Sequence, residues 1–589
     1  MNNPLEYYKE HRETYQLKAK ACYERMTTLS LLRLLVFVLT GFGVYLAFHT
    51  WQLAVAIAIA GIIIFVKLLS RYTDVKHKKA FNEALANINQ EELKIASGDF
   101  HNRDKGLQFQ DPNHYYSLDI DLFGRGSFFQ FLNRTTINEG TKTLASLLKA
   151  NNIEDIPVRQ EAIKELATKP EWRQHYSATS SLVKVETPAK EIVGWLKNYQ
   201  TFLPNMMRWL PLGFTVATVV LLGLILVNLI DVSLIGYWLL VGLAITGRYI
   251  KKINVLSLHV DKVKDTFRQY AQLLKLIEQE SFTSELLNKK QAQIKSEKKE
   301  ASTIFKELSR ALDALDNRNN IIGAIFGNGY FLTDIKNSYR IEQWIQQYAN
   351  KVEDWFEVVS FFDAYNALGN YAYNHPEFVY PEILEDDVVI KAKDLGHPLL
   401  DKTKRIDSDL TINNEQFFIV TGANMAGKST FLRTVSLHIV MANIGLPICA
   451  GSSRYTPVKL ITSMRTTDSL TDDSSYFFSE LTRLKFIVDT IANEPYFIVL
   501  DEILKGTNST DKAIGSKKFV EKLVASNATG IIATHDLSLC EIEAQLDDVK
   551  NYFFDAQIIE DELHFDYKLK QGVCQNMNAS FLLKKMDIV

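Results

Sequence analysis

Two blocks of the chain are apolar over lengths that set them apart from the rest of the sequence. The first covers 29–48, interrupted only by Arg33, and resumes after four residues at 53–69. The second covers 209–230 and, after a single aspartate, 232–247. Each stretch approaches the ~20 residues that a helix needs to cross the hydrocarbon core of a bilayer. The pattern predicts two transmembrane hairpins, four spans in all. The alternative is two pairs of buried core helices in a soluble protein.

Basic residues flank these hairpins on one side only. The two short links, 49–52 and Asp231, contain no Lys or Arg. The residues that follow the hairpins are basic: Arg71, Lys76, Lys78 and Lys79 after the first, and Arg248, Lys251 and Lys252 after the second. Because cytoplasmic flanks carry the excess of Lys and Arg, the amino terminus, the middle segment and the C-terminal part are all predicted to lie in the cytoplasm. The long polar lead of 28 residues and the second span that follows argue against a cleavable signal peptide.

The remaining pattern divides the chain between polar helices and an α/β region. Residues 70–108 and 250–360 are predicted to form long polar helices, and 369–415 is richer in turns and short strands. The run at 286–300 carries charge on every face and is predicted to be the exposed end of a helical arm. From residue 417 onward strands, loops and helices alternate, which predicts an α/β domain with a largely parallel sheet.

A phosphate-binding loop is the first chemical motif in the α/β region. The buried-strand pattern FFIV at 417–420 leads into TGANMAGKST at 421–430, and a helical run follows. In this order the backbone N–H groups and the helix N-terminus face the phosphates of a nucleotide. Lys428 supplies a charge to the β- and γ-phosphates, and the Ser429 hydroxyl is a ligand for Mg²⁺. The loop residues predicted to bind ATP are Gly422, Ala423, Asn424, Met425, Ala426, Gly427, Lys428, Ser429 and Thr430.

Two further strands end in residues that suit nucleotide hydrolysis. YFIVLDE at 496–502 places Asp501 and Glu502 at a strand end, where Asp501 would hold Mg²⁺ and Glu502 would deprotonate the attacking water. TGIIATHD at 529–536 places His535 at the corresponding end, where ligands of α/β sheets gather. His535 is predicted to contact the γ-phosphate or the water. The structural alternatives are solvated carboxylates and a histidine satisfied within the fold.

These motifs, in this order, resemble the MutS family of DNA mismatch-repair ATPases. TGANMAGKSTFLR is similar to its Walker A segment, FIVLDEILKGTNSTD to its Walker B segment, and ATHD to its histidine switch. SSYFFSEL at 474–481 resembles its signature segment, with Ser475 and Glu480 at the matching positions. In the family that serine reaches the γ-phosphate bound by the partner subunit. The resemblance therefore implies a homodimer with two composite sites.

Upstream segments extend the resemblance to about half of the chain. GHPLL at 396–400 is similar to the opening of the family's ATPase domain, and 118–148, 156–166 and 361–383 to parts of its core domain. The expected fold is an α/β P-loop NTPase domain of ABC/MutS type, preceded by a mostly α-helical MutS-like core with two transmembrane helical hairpins. The expected units are 1–28, an N-terminal helix; 29–69, a hairpin; 70–117, a linker; 118–203, core; 204–250, a hairpin; 251–390, helical arms and the end of the core; and 391–589, the ATPase domain.

The chain also departs from the family pattern. Ala423 and Ala426 replace a Pro and a Gly that are usual in the phosphate loop, Tyr476 replaces a Thr, and Asn508 stands where Ser is usual. None of these changes removes a catalytic group. We find no counterpart of the mismatch-reading domain and no Phe-x-Glu wedge before the core. The second hairpin falls where the family has the lever helices that lead to its DNA clamp.

Three functions fit these observations. The first is a membrane-anchored MutS-like ATPase that acts on DNA as an ATP-switched dimer. The second is an ATPase of the same type that acts on a protein or lipid partner without DNA. The third is an ABC transporter, which is disfavoured because two separate hairpins make a poor translocation path. The net charge of −3 predicts no bulk attraction to polyanions, so DNA would need a local basic patch. The candidate patch is Lys289, Lys290, Lys295, Lys298 and Lys299, diluted by Glu297 and Glu300.

The cysteines add no metal site or disulfide framework to these alternatives. Cys22, Cys449, Cys540 and Cys574 are scattered and form no CxxC pair. Isolated thiols of this kind are typical of a reducing compartment.

Overall fold

As far as residue 374, the regular secondary structure of the described residues is helical, and turns and loops connect the helices. The computed structural model describes residues 3–183, 187–295, 299–316, 321–423, 425–465, 476–559 and 562–575. Its first fifteen α-helices are α1 Pro4–Leu46, α2 Trp51–Ala96, α3 Phe128–Leu132, α4 Asn138–Lys149, α5 Ile156–Ala167, α6 Pro170–Ser181, α7 Ala189–Lys197, α8 Leu210–Leu226, α9 Leu234–Gly247, α10 Ile250–Gln279, α11 Glu285–Ile294, α12 Ala301–Asp316, α13 Ile321–Phe331, α14 Thr333–Tyr348 and α15 Val352–Asn374.

The first apolar block forms a long helical hairpin of α1 and α2. The two helices pack closely, and a Cβ on Gly61 would lie 2.2 Å from the Oγ1 atom of Thr40. Among the described residues, these are the two helices that are long and apolar enough to cross a membrane, and only 6% of the apolar window of each is buried. Length and composition therefore agree with the prediction of a spanning hairpin, although no membrane is part of the structure.

The second apolar block does not form two spanning helices. Helices α8 and α9 contain 17 and 14 residues, or about 25 Å and about 21 Å at 1.5 Å per residue, against a hydrocarbon core of about 30 Å. Asn228 adopts a left-handed backbone conformation with φ 56°, and the Asp231 carboxylate accepts a hydrogen bond from the Ser233 N–H at 2.7 Å. This turn shortens both helices. The structure therefore does not support the prediction of four spanning helices.

Two predictions for the polar helices at 250–360 also need correction. Helix α13 is apolar, with the sequence IIGAIFGNGYF, so the prediction of polar helices throughout 250–360 is wrong for this part. The run at 286–300 is not charged on every face, because Leu287, Gln291 and Ile294 of α11 are buried. The Gln291 side chain donates to the carbonyls of Ile277 and Glu280 at 2.6 and 2.7 Å.

Helix α15 is the centre of the helical core. Most of its side chains are buried, and it packs against α4, α5 and α6. Asp363 on this helix accepts hydrogen bonds from the backbone N–H groups of Thr136 and Ile137 at 2.9 and 3.1 Å. This contact satisfies backbone donors that α4 cannot satisfy within its own first turn.

The C-terminal part is an α/β domain with two sheets. A four-stranded sheet has the order β1-β5-β2-β3, and a six-stranded sheet has the order β10-β9-β4-β8-β7-β6. The pairs from β9 to β6 are parallel and β10 is antiparallel, as the sequence pattern predicts. The strands are β1 Glu382–Ile383, β2 Val388–Leu395, β3 Ser408–Asn413, β4 Phe417–Gly422, β5 Ser452–Tyr455, β6 Lys459–Ser463, β7 Tyr496–Asp501, β8 Thr529–Ala533, β9 Val549–Ile559 and β10 Glu562–Gln571, and the helices are α16 Lys428–Ile444, α17 Tyr476–Ile491 and α18 Ser509–Ala525.

Buried polar contacts join the helical core to this domain. The Arg159 guanidinium on α5 donates to the carbonyl of Asn443 at the end of α16, at 2.8 and 3.1 Å. Arg483 on α17 donates to the carbonyls of Tyr115 and Thr462, both at 2.7 Å. Since charged donors to buried carbonyls are costly to remove, these contacts fix α16 and α17 relative to the core.

Candidate nucleotide-binding site

The phosphate loop connects strand β4 to helix α16 through a tightly constrained turn. All six residues of β4 are buried, and Gly422, Met425 and Gly427 have φ angles of 151°, 69° and 108°. A Cβ on Gly422 would lie 2.8 Å from the carbonyl oxygen of Phe554 on β9, so glycine alone fits there. The loop ends at the N-terminus of α16, where unpaired N–H groups and the helix dipole favour an anion. Asn424 lies outside the described residues.

The Lys428 side chain folds back over the loop. Its Nζ donates to the carbonyls of Gly422 and Ala423 at 2.7 and 3.0 Å and lies 3.2 Å from Nε2 of His535. Burial lowers the pKa of Lys428, and the carboxylates of Asp501 and Glu502 oppose that shift. These two carbonyls hold the ammonium above the loop.

Ser429 and Asp501 meet across the gap between β4 and β7. The Ser429 hydroxyl donates to Oδ2 of Asp501 at 2.7 Å. A hydroxyl and a carboxylate are the oxygen ligands that Mg²⁺ prefers when phosphates and water supply the rest of its shell. Within the described ranges, no group of three or more His, Cys, Asp and Glu side chains could hold a metal by itself. The donor set therefore fits Mg²⁺ that arrives with a nucleotide.

Glu502 and His535 complete the cluster at the same sheet edge. Nε2 of His535 lies 3.4 Å from Oε1 of Glu502, and Glu502 has a left-handed φ of 49°. Its N–H still continues the sheet, donating to the Ala533 carbonyl at 2.9 Å. Burial, and next the nearby ammonium of Lys428, lower the pKa of His535, so the neutral ring is favoured. Because an ammonium can only donate, Nε2 is the acceptor in the contact with Lys428.

A cavity of about 480 Å³ lies over these groups, within the size range of small-molecule sites. Met425, Gly427 and Thr430 also line it, and Ala426 of the loop is buried beneath. The remaining lining residues were not among the site residues predicted from the sequence. They are Leu395, His397, Leu400, Lys404, Arg405, Ile406, Ser408, Phe431, Thr434, Lys505, Phe554 and Tyr567. Phe554 and Tyr567 belong to β9 and β10, over 120 residues along the chain from the loop, and no local motif marks them.

Comparison with known proteins finds relatives for the C-terminal part of the chain. MutS domain V matches residues 418–584. These residues form a domain of the MutS type. Human MutS protein homolog 4 is 32% identical over 214 residues, 34% of this chain and 22% of that protein. The DNA mismatch repair protein MutS of Methanococcoides burtonii is 31% identical over 237 residues, which are 39% of this chain and 26% of that protein. The DNA mismatch repair protein MutS of Staphylococcus carnosus is 26% identical over 257 residues, which are 42% of this chain and 29% of that protein. The chain thus spans less than a third of the length of these relatives.

The MutS signature segment is only partly described. Ser475 lies outside the described residues. Glu480 is buried, and its Oε2 accepts from the backbone N–H of Lys505 at 3.0 Å. Burial raises the pKa of Glu480, while the backbone N–H groups of Leu504 and Lys505 oppose that shift. Glu480 therefore ties α17 to the loop that follows Glu502.

Asn508, at the MutS position where Ser is usual, caps helix α18. Its side-chain oxygen accepts from the N–H of Asp511 at 2.9 Å. Both Asn and Ser are favourable at this position of a helix, so the departure is conservative for the local fold.

Proposed function

We propose that this chain is a membrane-anchored MutS-type ATPase that binds and hydrolyses Mg-ATP at sites completed across a homodimer and acts on DNA. The observation that carries the ATPase assignment is the meeting of Lys428, Ser429, Asp501, Glu502 and His535 at one sheet edge. These residues come from three separate segments of the chain. Ser429 and Asp501 are 72 residues apart, and Lys428 and His535 are 107 residues apart. Structural carboxylates and a structural histidine would not need to converge on a phosphate loop.

Each of these groups has a separate task. The loop N–H groups and Lys428 bind the β- and γ-phosphates. Ser429 and Asp501 would hold Mg²⁺, which offsets the negative charge of the phosphates when bound. Glu502 accepts the proton of the attacking water. Neutral His535 accepts from Lys428 in the free protein, and it orients the water or contacts the γ-phosphate once Lys428 has turned to the nucleotide.

The dimer, the DNA and the membrane have different support. Ser475, matched to the MutS signature, would complete the site of the partner subunit. DNA is proposed because relatives carry the name DNA mismatch repair protein MutS, which is a family-level argument. The first hairpin, α1 and α2, is proposed to span the membrane, with the ATPase domain in the cytoplasm.

One observation favours the second candidate function, a protein or lipid partner in place of DNA. The lysines of the candidate DNA patch are partly neutralised, since Lys290 pairs with Glu357 at 3.0 Å and Lys299 with Glu307 at 2.7 Å. Such pairs weaken a patch that would have to attract phosphates.

The proposal is tested with the full chain in detergent or nanodiscs. Mg²⁺-dependent release of phosphate from ATP, lost on Lys428→Ala, is the expected result. A parental rate in that variant would contradict the site. Filter binding of duplex, mismatched and branched DNA over a salt series then separates the two candidate functions. Absence of DNA binding at low salt, with and without ATP, would leave the protein-or-lipid partner.

A further inference from the structure

Helices α8, α9 and α13 form a unit whose outer surface is apolar. α13 packs along α9 and also contacts α8. The exposed side chains of this unit include Leu212, Val216, Val219 and Val220 of α8, Leu234, Tyr237, Leu240 and Val241 of α9, and Ile321, Ile322, Ile325 and Phe326 of α13. An apolar surface spread over three adjacent helices is far larger than the scattered apolar residues of a soluble surface, and it marks a site of contact.

The interior of the same unit holds small and polar residues beside the stacked rings of Phe214 and Trp238, whose centres are 4.3 Å apart. A Cβ on Gly242 would lie 2.3 Å from the carbonyl oxygen of Gly329, so α9 and α13 touch through their backbones. The Thr218 hydroxyl donates to the Tyr330 carbonyl at 2.8 Å and accepts from Nε1 of Trp238 at 2.8 Å. Small residues and internally satisfied polar groups inside, with apolar side chains outside, are the pattern of helices packed in lipid.

Contacts with α6 give the direction of the first hairpin. Asn89 on α2 exchanges hydrogen bonds with Gln174 on α6 at 3.0 and 3.1 Å, and Leu85 shares a buried cluster with Ala178. Lower residue numbers on α2 therefore face higher numbers on α6, so the two helices are antiparallel. The apolar half of α2 extends past the C-terminal end of α6.

Helix α10 has the same direction as α2. Nε1 of Trp172 on α6 donates to the Leu276 carbonyl at 3.3 Å, and Nε2 of Gln269 donates to the Ser180 carbonyl at 2.6 Å. α10 is therefore antiparallel to α6 as well. Its N-terminus, which continues from α9 after Arg248 and Tyr249, points to the same end of the molecule as the first hairpin.

The two apolar regions also begin at similar depth. At 1.5 Å per residue, Leu69 lies about 30 Å along α2 from Asn89, which faces Gln174. Leu274, between the two α10 contacts with α6, lies at a similar level, and Ile250 is about 36 Å from it along α10. The difference of about 6 Å is one helical turn and is small against a hydrocarbon core of about 30 Å. One plane can therefore hold both regions.

Basic residues surround the unit at that level. Arg248, Lys251 and Lys252 follow α9, and the Arg208 guanidinium lies over the ring of Trp209, 5.1 Å from its centre, just before α8. Arginine and lysine at the base of an apolar surface suit the anionic head groups of a bilayer, and Trp209 suits the interface.

We propose that α8, α9 and α13 form a second lipid-embedded unit, inserted from the same side as the first hairpin into a leaflet with anionic head groups, with α13 confined to that leaflet. The proposal rests on the membrane placement proposed above for α1 and α2. At 11 residues, α13 is about 16 Å long, half of the hydrocarbon core. It starts five residues after Asp316, which pairs with Lys264 on α10, and ends at Leu332, where the buried chain reverses into α14 with φ 51°.

Depth-dependent fluorescence quenching tests this placement in the full chain. With the four native cysteines replaced, an environment-sensitive nitrobenzoxadiazole dye is attached to a single cysteine at Ile325, at Ile62 of α2, or at exposed Lys306 of α12. Each protein is reconstituted in phosphatidylcholine–phosphatidylglycerol vesicles that contain lipids spin-labelled near the head group or near the chain end. Only monodisperse proteins with parental circular dichroism are compared.

The expected result is quenching at Ile325 mainly by the shallow spin label, at Ile62 mainly by the deep one, and at Lys306 by neither. Quenching at Ile62 with none at Ile325 would overturn this inference and leave the first hairpin in place. No quenching at either position would remove the membrane proposal itself. Stronger quenching of Ile325 by the deep label would contradict the confinement of α13 to one leaflet. A blue shift without quenching would show that protein, such as a second copy, covers α13. Omission of phosphatidylglycerol should lower quenching at Ile325 relative to Ile62, and an unchanged ratio would exclude the anionic head group.

Discussion

The nucleotide site and the apolar helices α8, α9 and α13 differ in where they place their polar side chains. Around the phosphate loop, polar and charged side chains that follow three strands are paired with one another or with the backbone: Ser429 with Asp501, and Lys428 with two carbonyls and His535. In α8, α9 and α13, polar groups such as Thr218 are turned inward and apolar ones outward. Polar groups thus line an open cavity in one region, and in the other they lie inside a unit whose outer surface is apolar, as expected for the lipid contact proposed above.

Buried polar junctions connect the first hairpin to the ATPase domain. Glu92 near the end of α2 accepts from Nε of Arg134 at 2.6 Å and from the side chains of Asn370 and Asn374 on α15, both at 3.0 Å. Arg159 in turn links α5, which packs on α15, to the end of α16. A continuous chain of packed contacts therefore links α16 to the base of the first hairpin.

The largest expected effect concerns catalysis alone. Glu502→Gln should keep ATP binding and lower turnover by at least about 10²-fold, because the amide cannot accept the proton of the attacking water. Turnover and nucleotide affinity are measured on the full chain. Glu541→Gln is the matched control, since Glu541 is an exposed side chain of the same domain that pairs with Lys517 at 3.4 Å. Parental turnover in Glu502→Gln would refute the assignment of the base.

The second effect tests whether the hairpin base is a separate stability element. Glu92→Gln should speed amide hydrogen exchange at the N-terminal end of α1 and the C-terminal end of α2 by about 10- to 100-fold. This factor corresponds to the loss of a charged hydrogen bond that contributes about 1.5–3 kcal/mol. Exchange in β4 should stay unchanged. Glu91→Gln, at an exposed pair with Lys94, is the control. Equal acceleration in β4 would mean that the two regions unfold together.

The pH dependence of that junction has a definite sign. Burial acts to raise the pKa of Glu92, but the charge and hydrogen bond of Arg134 outweigh it, and the pKa is lowered. The carboxylate therefore stabilises the fold above its unfolded pKa, and this contribution is lost as the pH falls through the lowered folded value. The protection of α1 and α2 should decline in acid in the parent and be flatter in Glu92→Gln.

A third effect, several-fold in size, concerns the dimer. Ser475→Ala and Lys428→Ala subunits, each poorly active alone, should recover about a quarter of parental activity when mixed one to one, because half of the dimers then hold one intact site. Subunit exchange is verified with two affinity tags. Activity no higher than the sum of the separate variants would argue against composite sites.

Local motifs explain why most of the nucleotide site could be predicted. The loop, Asp501, Glu502 and His535 each follow a buried strand, and parallel strands bring such ends to one edge. The wall from Phe554 and Tyr567 could not be predicted, since it depends on the pairing of β9 and β10. In the second apolar block, the hydrophobic pattern correctly predicted apolar helices. It did not predict their lengths, because the turn at Asn228 determines where the helices end. α13 was missed because 11 apolar residues lie within a long polar segment.

A smaller effect is expected in the pH profile of the free enzyme. Burial and Lys428 lower the pKa of His535, so the neutral ring persists at pH values below the ordinary 6.5. Activity that needs the neutral ring should fall only as the pH drops through this lowered value, and the acid limb of kcat/KM should lie below pH 6.5. In His535→Gln the limb should shift, and an unchanged limb would assign it to another group.

The smallest expected effect is on DNA affinity and its dependence on salt. Because the candidate patch would contact phosphates and not base edges, the chain should not prefer a mismatch over perfect duplex. Its affinity should come from phosphate contacts, so log affinity should fall linearly with log salt, with a slope near −0.9 per phosphate neutralised. Among the described residues, the ion pairs of Lys290 and Lys299 reduce what the patch can offer. Lys298 lies outside them.

The five lysines of the patch are replaced by Gln together: Lys289, Lys290, Lys295, Lys298 and Lys299. The slope of log affinity against log salt should then become less steep by the equivalent of about 2 to 3 phosphate contacts, at about −0.9 each, and not by five. Lys517→Gln with Lys518→Gln on α18 is the control for a general change of charge. A slope that does not move would show that the patch is a solvated surface. ATP should change DNA affinity if the sites are coupled, and DNA should then change ATP affinity by the same factor. A change in one direction only would point to an effect on the assay and not to coupling between the nucleotide site and DNA.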